Sequence, residues 1–89
     1  MPTVEFTPNL ARQTQAQSCQ VEAVTVGEAL EATFARQPAL RSYILDDQGA
    51  VRHHVVIFVD GTAIKDRRDL SDPVGPNSEI FVMQALSGG

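Results

Sequence analysis

The chain of 89 residues has a single cysteine, Cys19, so no internal disulfide can staple it and the bond-stapled secreted class is excluded. Its start, Met1-Pro2-Thr3-Val4-Glu5-Phe6, has neither the basic region nor the apolar run of a signal peptide. The longest apolar run, Val55-Val56-Ile57-Phe58-Val59, is far too short to span a bilayer. These absences predict a cytoplasmic protein with no membrane partner. Positive charge is also scarce: seven Lys and Arg stand against eleven Asp and Glu, a net charge of −4. Nucleic-acid binding needs a basic stripe to displace counterions from phosphates. The densest basic cluster, Lys65-Asp66-Arg67-Arg68-Asp69, is interrupted by acids and reads as a solvated loop, so no nucleic-acid partner is expected. An acidic surface instead suits a partner with a basic groove, because attraction speeds encounter.

Motifs of catalysis are missing too. There is no Cys/His cluster, phosphate loop or nucleophile elbow. His53-His54 read as neighbours on a strand, pointing to opposite faces and unable to chelate one ion together. One is expected at the surface and the other partly packed, with no metal bound. Cys19 has no His or basic residue beside it in sequence to activate it, and is expected to pack as a small core residue. No catalytic residue and no resident cofactor is expected, and the chain is not read as an enzyme.

What is present suits one small domain. Hydrophobic residues make up 43% and charged residues 20%, the balance of a globular chain rather than a disordered one. Val4 and Phe6 alternate with polar neighbours, predicting a first strand over residues 3–7. Residues 8–17, rich in Gln, read as an exposed loop. Cys19, Val21 and Ala23 alternate with Gln20 and Glu22, predicting a second strand. Thr25-Val26-Gly27-Glu28 has capping-box form, with Glu28 reaching back to the Thr25 amide. Val26, Leu30 and Phe34, with Ala29 and Thr33 beside them, predict one helix of any length, running to about Gln37 where Pro38 stops it.

After the helix, Tyr43-Ile44-Leu45 predicts a short strand and Asp46-Asp47-Gln48-Gly49 a turn. The chain then runs through Ala50-Val51-Arg52 into the strand Val55–Val59. Asp60-Gly61 is the signal of a two-residue hairpin, returning through Thr62-Ala63-Ile64. Asp72-Pro73 and Gly75-Pro76 punctuate turns. Residues 79–86 carry Ile80, Phe81, Val82 and Met83 in a row, and a run apolar on both faces suits a central strand. The expected fold class is α+β: a β-grasp, or ubiquitin-like, mixed sheet of four to five strands covered by one main helix.

Residues 1–86 form the expected domain, and 87–89 a flexible Ser-Gly-Gly tail. Two terminal glycines occur by chance in roughly one chain in 200, and the bland reading is a frayed end or an expression scar. Their position directly after a predicted central strand gives them more weight. Without side chains, Gly88 and Gly89 can enter a narrow slot in another protein. Residues 85–89 reach on the order of 15 Å when extended. Ordering each of them costs about 1–2 kcal/mol, so contacts made by the body must supply most of the affinity.

Over nearly the whole chain the sequence resembles the MoaD/ThiS family of ubiquitin-like sulfur carrier proteins, and within it the CysO-like branch. The resemblance is carried by residues 40–45, by Arg52-His53-His54-Val55-Val56-Ile57-Phe58-Val59-Asp60-Gly61, and by residues 80–89. It implies that Gly89 is the residue adenylated and then converted to a thiocarboxylate, with Gly88 and Ser87 completing the tail. It implies a partner that uses ATP, an E1-like adenylyltransferase of the MoeB/ThiF type, and a synthase that accepts the sulfur. A JAMM-type protease is a further implied partner, because some relatives are made with residues beyond the glycine pair. Docking on the activating enzyme is implied through an exposed apolar sheet surface, with Phe6, Leu70, Met83 and Leu86 as the corresponding residues. The loop 8–17 is longer than in the smallest thiamin-pathway carriers, and Gln84-Ala85-Leu86-Ser87 lacks the paired prolines of some molybdopterin-synthase small subunits. Three roles stay open: a sulfur carrier for cysteine, thiamin or another metabolite; the small subunit of molybdopterin synthase; and a ubiquitin-like modifier or binding domain.

Overall fold

A computed structural model of the chain describes residues 1–84; the tail residues Ser87, Gly88 and Gly89, together with Leu86, lie outside the described residues. The elements are β1 (Thr3–Phe6), α1 (Pro8–Thr14), β2 (Cys19–Gln20), α2 (Val26–Arg36), a 3-10 turn (Pro38–Leu40), α3 (Arg41–Ile44), β3 (Val55–Val59), β4 (Thr62–Ala63) and β5 (Glu79–Gln84). The sheet order is β2-β1-β5-β3-β4. β5 runs parallel to β1 and antiparallel to β3, so the last strand is central, as its two apolar faces predict. This is the β-grasp arrangement: a first hairpin, one main helix across the sheet, and a final strand returning beside the first.

The core lies between the sheet and α2. Val26, Ala29, Leu30, Thr33 and Phe34 are the buried face of α2, and they meet Val4, Val55, Ile57, Ile80 and Val82 from the strands. The N-terminus of α2 is fully capped. Thr25 Oγ1 accepts from the Glu28 amide, and the loop before β5 supplies the carbonyls of Asp72 and Leu70 to the Val26 and Gly27 amides. Glu28 reaches back one residue further than the capping-box pattern predicts, to the amide of Val24 at 3.1 Å.

Four local expectations are corrected. Residues 8–17 are not an exposed loop, because Pro8 opens the seven-residue α1 and Leu10 is fully buried beneath it. Proline at the first helical position loses no hydrogen bond, and one buried leucine anchors a helix too short to show a period. Tyr43-Ile44-Leu45 is not a strand: Arg41–Ile44 is a helical turn, and only Leu45 pairs, in a single bridge with Val51. Burial of both Ile44 and Leu45, which a strand facing one layer does not give, is met by this turn into extended chain. The second strand ends at Gln20, since Val21 donates to Pro2 and the chain then leaves the sheet for α2. His53 and His54 lie in a turn before β3 rather than on it, so their rings meet edge-on at 5.5 Å instead of facing apart. His53 is exposed and His54 half-buried. Cys19 is also half-buried, its sulfur 3.7 Å from Thr33 Oγ1.

The predicted hairpin is present. Asp60 and Gly61 have φ of 51° and 87°, the pair of positive values a two-residue turn of this twist requires. Asp60 also ties the hairpin to β5: its carboxylate accepts from Ser78 Oγ at 3.0 Å and from the Glu79 amide at 2.9 Å.

Candidate functional site

Side chains on adjacent strand residues alternate between faces, so a central strand presents half of its residues away from the helix. On β5, Ile80 and Val82 are buried in the core, while Phe81 and Met83 are half-buried on the opposite face. On β3, Val55 and Ile57 go inward and Val56 and Phe58 outward. The register places Val56 across from Met83 and Phe58 across from Phe81. Two stacked cross-strand apolar pairs thus form a stripe along the face away from α2. On the other flank Glu5 of β1 lies across from Phe81. A shallow depression of about 560 Å³ on this face is lined by Glu5, Phe58, Phe81 and Met83, together with Asp60, Gly61 and Glu79. The stripe ends at Met83-Gln84, where β5 hands on to the residues leading to Gly88 and Gly89.

Of the residues expected to dock a partner, Met83 belongs to this face. Phe6 lies on the other side of its strand, half-buried and packed against the core. Leu70 is only 6% exposed, with a left-handed backbone of φ 57°. Its Cβ and carbonyl lie so close to Gly27 that a Cβ added there would sit 3.3 Å from each. Leu86, Ser87, Gly88 and Gly89 lie outside the described residues. Val56, Phe58 and Phe81 were not singled out from the sequence. The signal was the alternation of Val55–Val59 and 79–84 once both strands are internal: burying one set of side chains leaves the other as an apolar surface.

The loop that carries Leu70 is held by carboxylates. Asp66 accepts from the Ser71 hydroxyl and from the amides of Asp69, Ser71 and Arg68. The Ser71 hydroxyl, with the amides after it, holds its carboxyl at about 2, below the usual 3.8. Asp72 is lowered by the Lys65 and Asp66 amides, and Asp46 in the turn before Val51 by those of Gln48 and Ala50. These are structural clasps, each satisfying several turn amides at once. Among the described residues no group of three His, Cys, Asp or Glu side chains is placed to hold a metal, and no helix is long and apolar enough to cross a membrane.

The sequence matches the ThiS family over residues 7–89. The chain belongs to the ThiS family. It is a ubiquitin-fold protein of the ThiS/MoaD sulfur-carrier type. Solved structures agree on the architecture. SAMP1 from Haloferax volcanii superposes with a TM-score of 0.82 at 25% identity, covering 99% of this chain and 98% of that one. The Amycolatopsis orientalis BexX/CysO complex matches with a TM-score of 0.84 at 17% identity, covering 100% of both chains. Mycobacterium tuberculosis CysO gives 0.81 at 18% identity, covering 97% and 100%. Among curated proteins, none matches this sequence. The ThiS match extends through Gly88 to Gly89, so the glycine pair falls within the family's span.

Proposed function

We propose that this chain is a sulfur carrier that is activated at Gly89 by an E1-like adenylyltransferase of the MoeB/ThiF type. The Gly89 carboxylate attacks the α-phosphorus of ATP, pyrophosphate leaves, and an acyl-adenylate forms. Sulfide, or the terminal sulfur of a persulfide followed by its reductive release, then displaces AMP and leaves a C-terminal thiocarboxylate, a far better nucleophile than the carboxylate. A biosynthetic synthase consumes that sulfur. The chain is a co-substrate in this scheme, and the chemistry belongs to its partners. The observation that supports the reading is a family match that includes Gly88-Gly89, joined to a central strand with a half-buried apolar stripe on the face away from α2. A relative found in complex with a partner, CysO with BexX, fits a protein that works by docking.

The test is an intact-mass measurement after incubation with such an adenylyltransferase, ATP and a sulfide source. The expected result is the mass change for one oxygen replaced by sulfur, lost when Gly89 is deleted. No mass change with enzymes of this type would overturn the reading. A second reading is favoured by the likeness to a small archaeal modifier protein from H. volcanii: Gly89 joined by an isopeptide bond to a lysine of another protein. Gly89-dependent conjugates of higher mass, appearing without the thiocarboxylate, would select it.

A further inference from the structure

Primary amines are scarce in this chain, and one of them stands near the root of the tail. Lys65 is its single lysine. The α-amino group of Met1 lies toward the other end of the sheet. Thr3 pairs with Glu79 in the parallel ladder of β1 and β5, already about 17 Å along the strand from Gln84. Lys65 is placed by the hairpin. Ile64 still donates to the Ile57 carbonyl at 2.9 Å, so Lys65 comes beside Val56, and Val56 is the cross-strand partner of Met83. Two strand spacings, about 10 Å, thus separate the backbone of Lys65 from that of Met83. Ile64 is buried in the core and Lys65 is exposed, as alternation between the two faces of the sheet requires. The acids beside Lys65 are engaged elsewhere. Asp72 accepts from the amides of Lys65 and Asp66, and Asp66 from the Ser71 hydroxyl and the Asp69 amide. The ion pair seen among the described residues is Arg41 with Glu31, which leaves Lys65 without one there.

We propose that Lys65 is an acceptor for the chain's own activated tail, closing a Gly89–Lys65 isopeptide ring when sulfur is not delivered. The proposal rests on the carrier reading, which supplies the acyl-adenylate at Gly89. Five residues follow Gln84, and extended they reach on the order of 15 Å. That spans the gap of about 10 Å before the four-carbon stem of lysine adds its own length. The unprotonated Nζ attacks the Gly89 carbonyl carbon. The C–N bond forms, the bond from that carbon to the AMP oxygen breaks, and the amine proton goes to water. Nothing is oxidised or reduced, and AMP is the leaving group. A short flexible tether gives Nζ an effective concentration of order mM, which an amine of another protein matches only by docking. Sulfur nucleophiles outrun an amine while they are present. Without them the adenylate is left to Lys65 and to water. The ring has no free carboxylate at Gly89, so it can be neither adenylated again nor given sulfur. Lys65 thereby retires a carrier that was activated with no sulfur to carry.

The test uses the full chain, an adenylyltransferase of the MoeB/ThiF type and ATP, with the sulfide source left out, and reads intact mass. The expected product is a monomer lighter by one water, whose fragments join Gly89 to Lys65. Its fraction should hold on about tenfold dilution of the carrier with enzyme in excess, because the tether sets the local concentration. Restoring sulfide should suppress it in favour of the thiocarboxylate. Lys65→Arg keeps the charge at an exposed position. It is expected to lose the lighter species while its melting temperature, and its thiocarboxylate yield with sulfide, stay at the parent's values. Water loss that survives Lys65→Arg, or a ring closed on the Met1 amine, would overturn the proposal. Linked dimers in place of the lighter monomer would give Lys65 to a second copy and would also overturn it. Two further outcomes separate the claims. AMP release and thiocarboxylate formation with no ring in the absence of sulfide sink this proposal alone. A ring at Lys65 with no thiocarboxylate at any sulfide supply sinks the carrier reading alone. No AMP release from the parent chain overturns both.

Discussion

Asp66 gathers the Ser71 hydroxyl and three loop amides onto one carboxylate, and that loop in turn offers the Leu70 and Asp72 carbonyls to the start of α2. A group whose carboxyl is lowered on folding stabilises the fold while it is ionised. Its contribution is therefore present above the unfolded value of 3.8 and is lost as pH falls through about 2. Asp66→Asn should melt at a lower temperature than the parent near neutral pH, and the gap should close as pH falls from about 4 to about 2. Thermal melts across that range check it; a gap that stays constant would mean the carboxylate's charge contributes nothing. The sequence shows Lys65–Asp69 only as a charge run broken by acids. The contacts of Asp66 with the amide and hydroxyl of Ser71 follow a residue, Leu70, with a positive φ, which nothing in the local residue types announces.

Among the elements, α2 and α1 stand at opposite ends of legibility. α2 repeats its apolar residues over three turns and starts at a threonine that caps it, so its face and its beginning are written in the chain. α1 contributes one fully buried leucine within seven residues, and its polar composition resembles a loop. The energetics should invert that order. Leu10→Ala opens a cavity beneath α1 and should cost about 2–5 kcal/mol. Thr25→Ala removes one side-chain cap and should cost about 1 kcal/mol, because the Asp72 and Leu70 carbonyls still satisfy the neighbouring amides. Urea unfolding of the two variants measures the difference; equal losses would show α1 to be a dispensable flap. The strands divide in the same way. Asp60-Gly61 carries its turn in two residues, whereas Leu45–Val51 is a lone bridge whose pairing depends on tertiary contacts. The open apolar stripe was legible only after both strands were known to be internal, because alternation identifies two faces without saying which is covered.

For the whole molecule, the decisive fact is that β5 joins two halves of the sheet that are not hydrogen-bonded to each other: β2 and β1 on one side, β3 and β4 on the other. A chain truncated after Ser78 should be unfolded, with neither a cooperative melt nor the near-ultraviolet signal of fixed aromatic rings. Deleting Gly88 and Gly89 should leave the melting temperature unchanged while abolishing the mass change expected on activation. A truncated chain that melts cooperatively would mean that the two halves fold without their central strand.

Order of synthesis gives this topology a meaning beyond stability. A ribosome makes β1, α2 and β3 well before the strand that binds them together, so the growing chain cannot close its core early. Folding waits until residue 84 has emerged. A product broken off earlier lacks its keystone, stays open to proteases, and never displays the Phe58–Phe81 face. Under the proposed function, any body offered for activation has therefore been translated at least as far as Gln84.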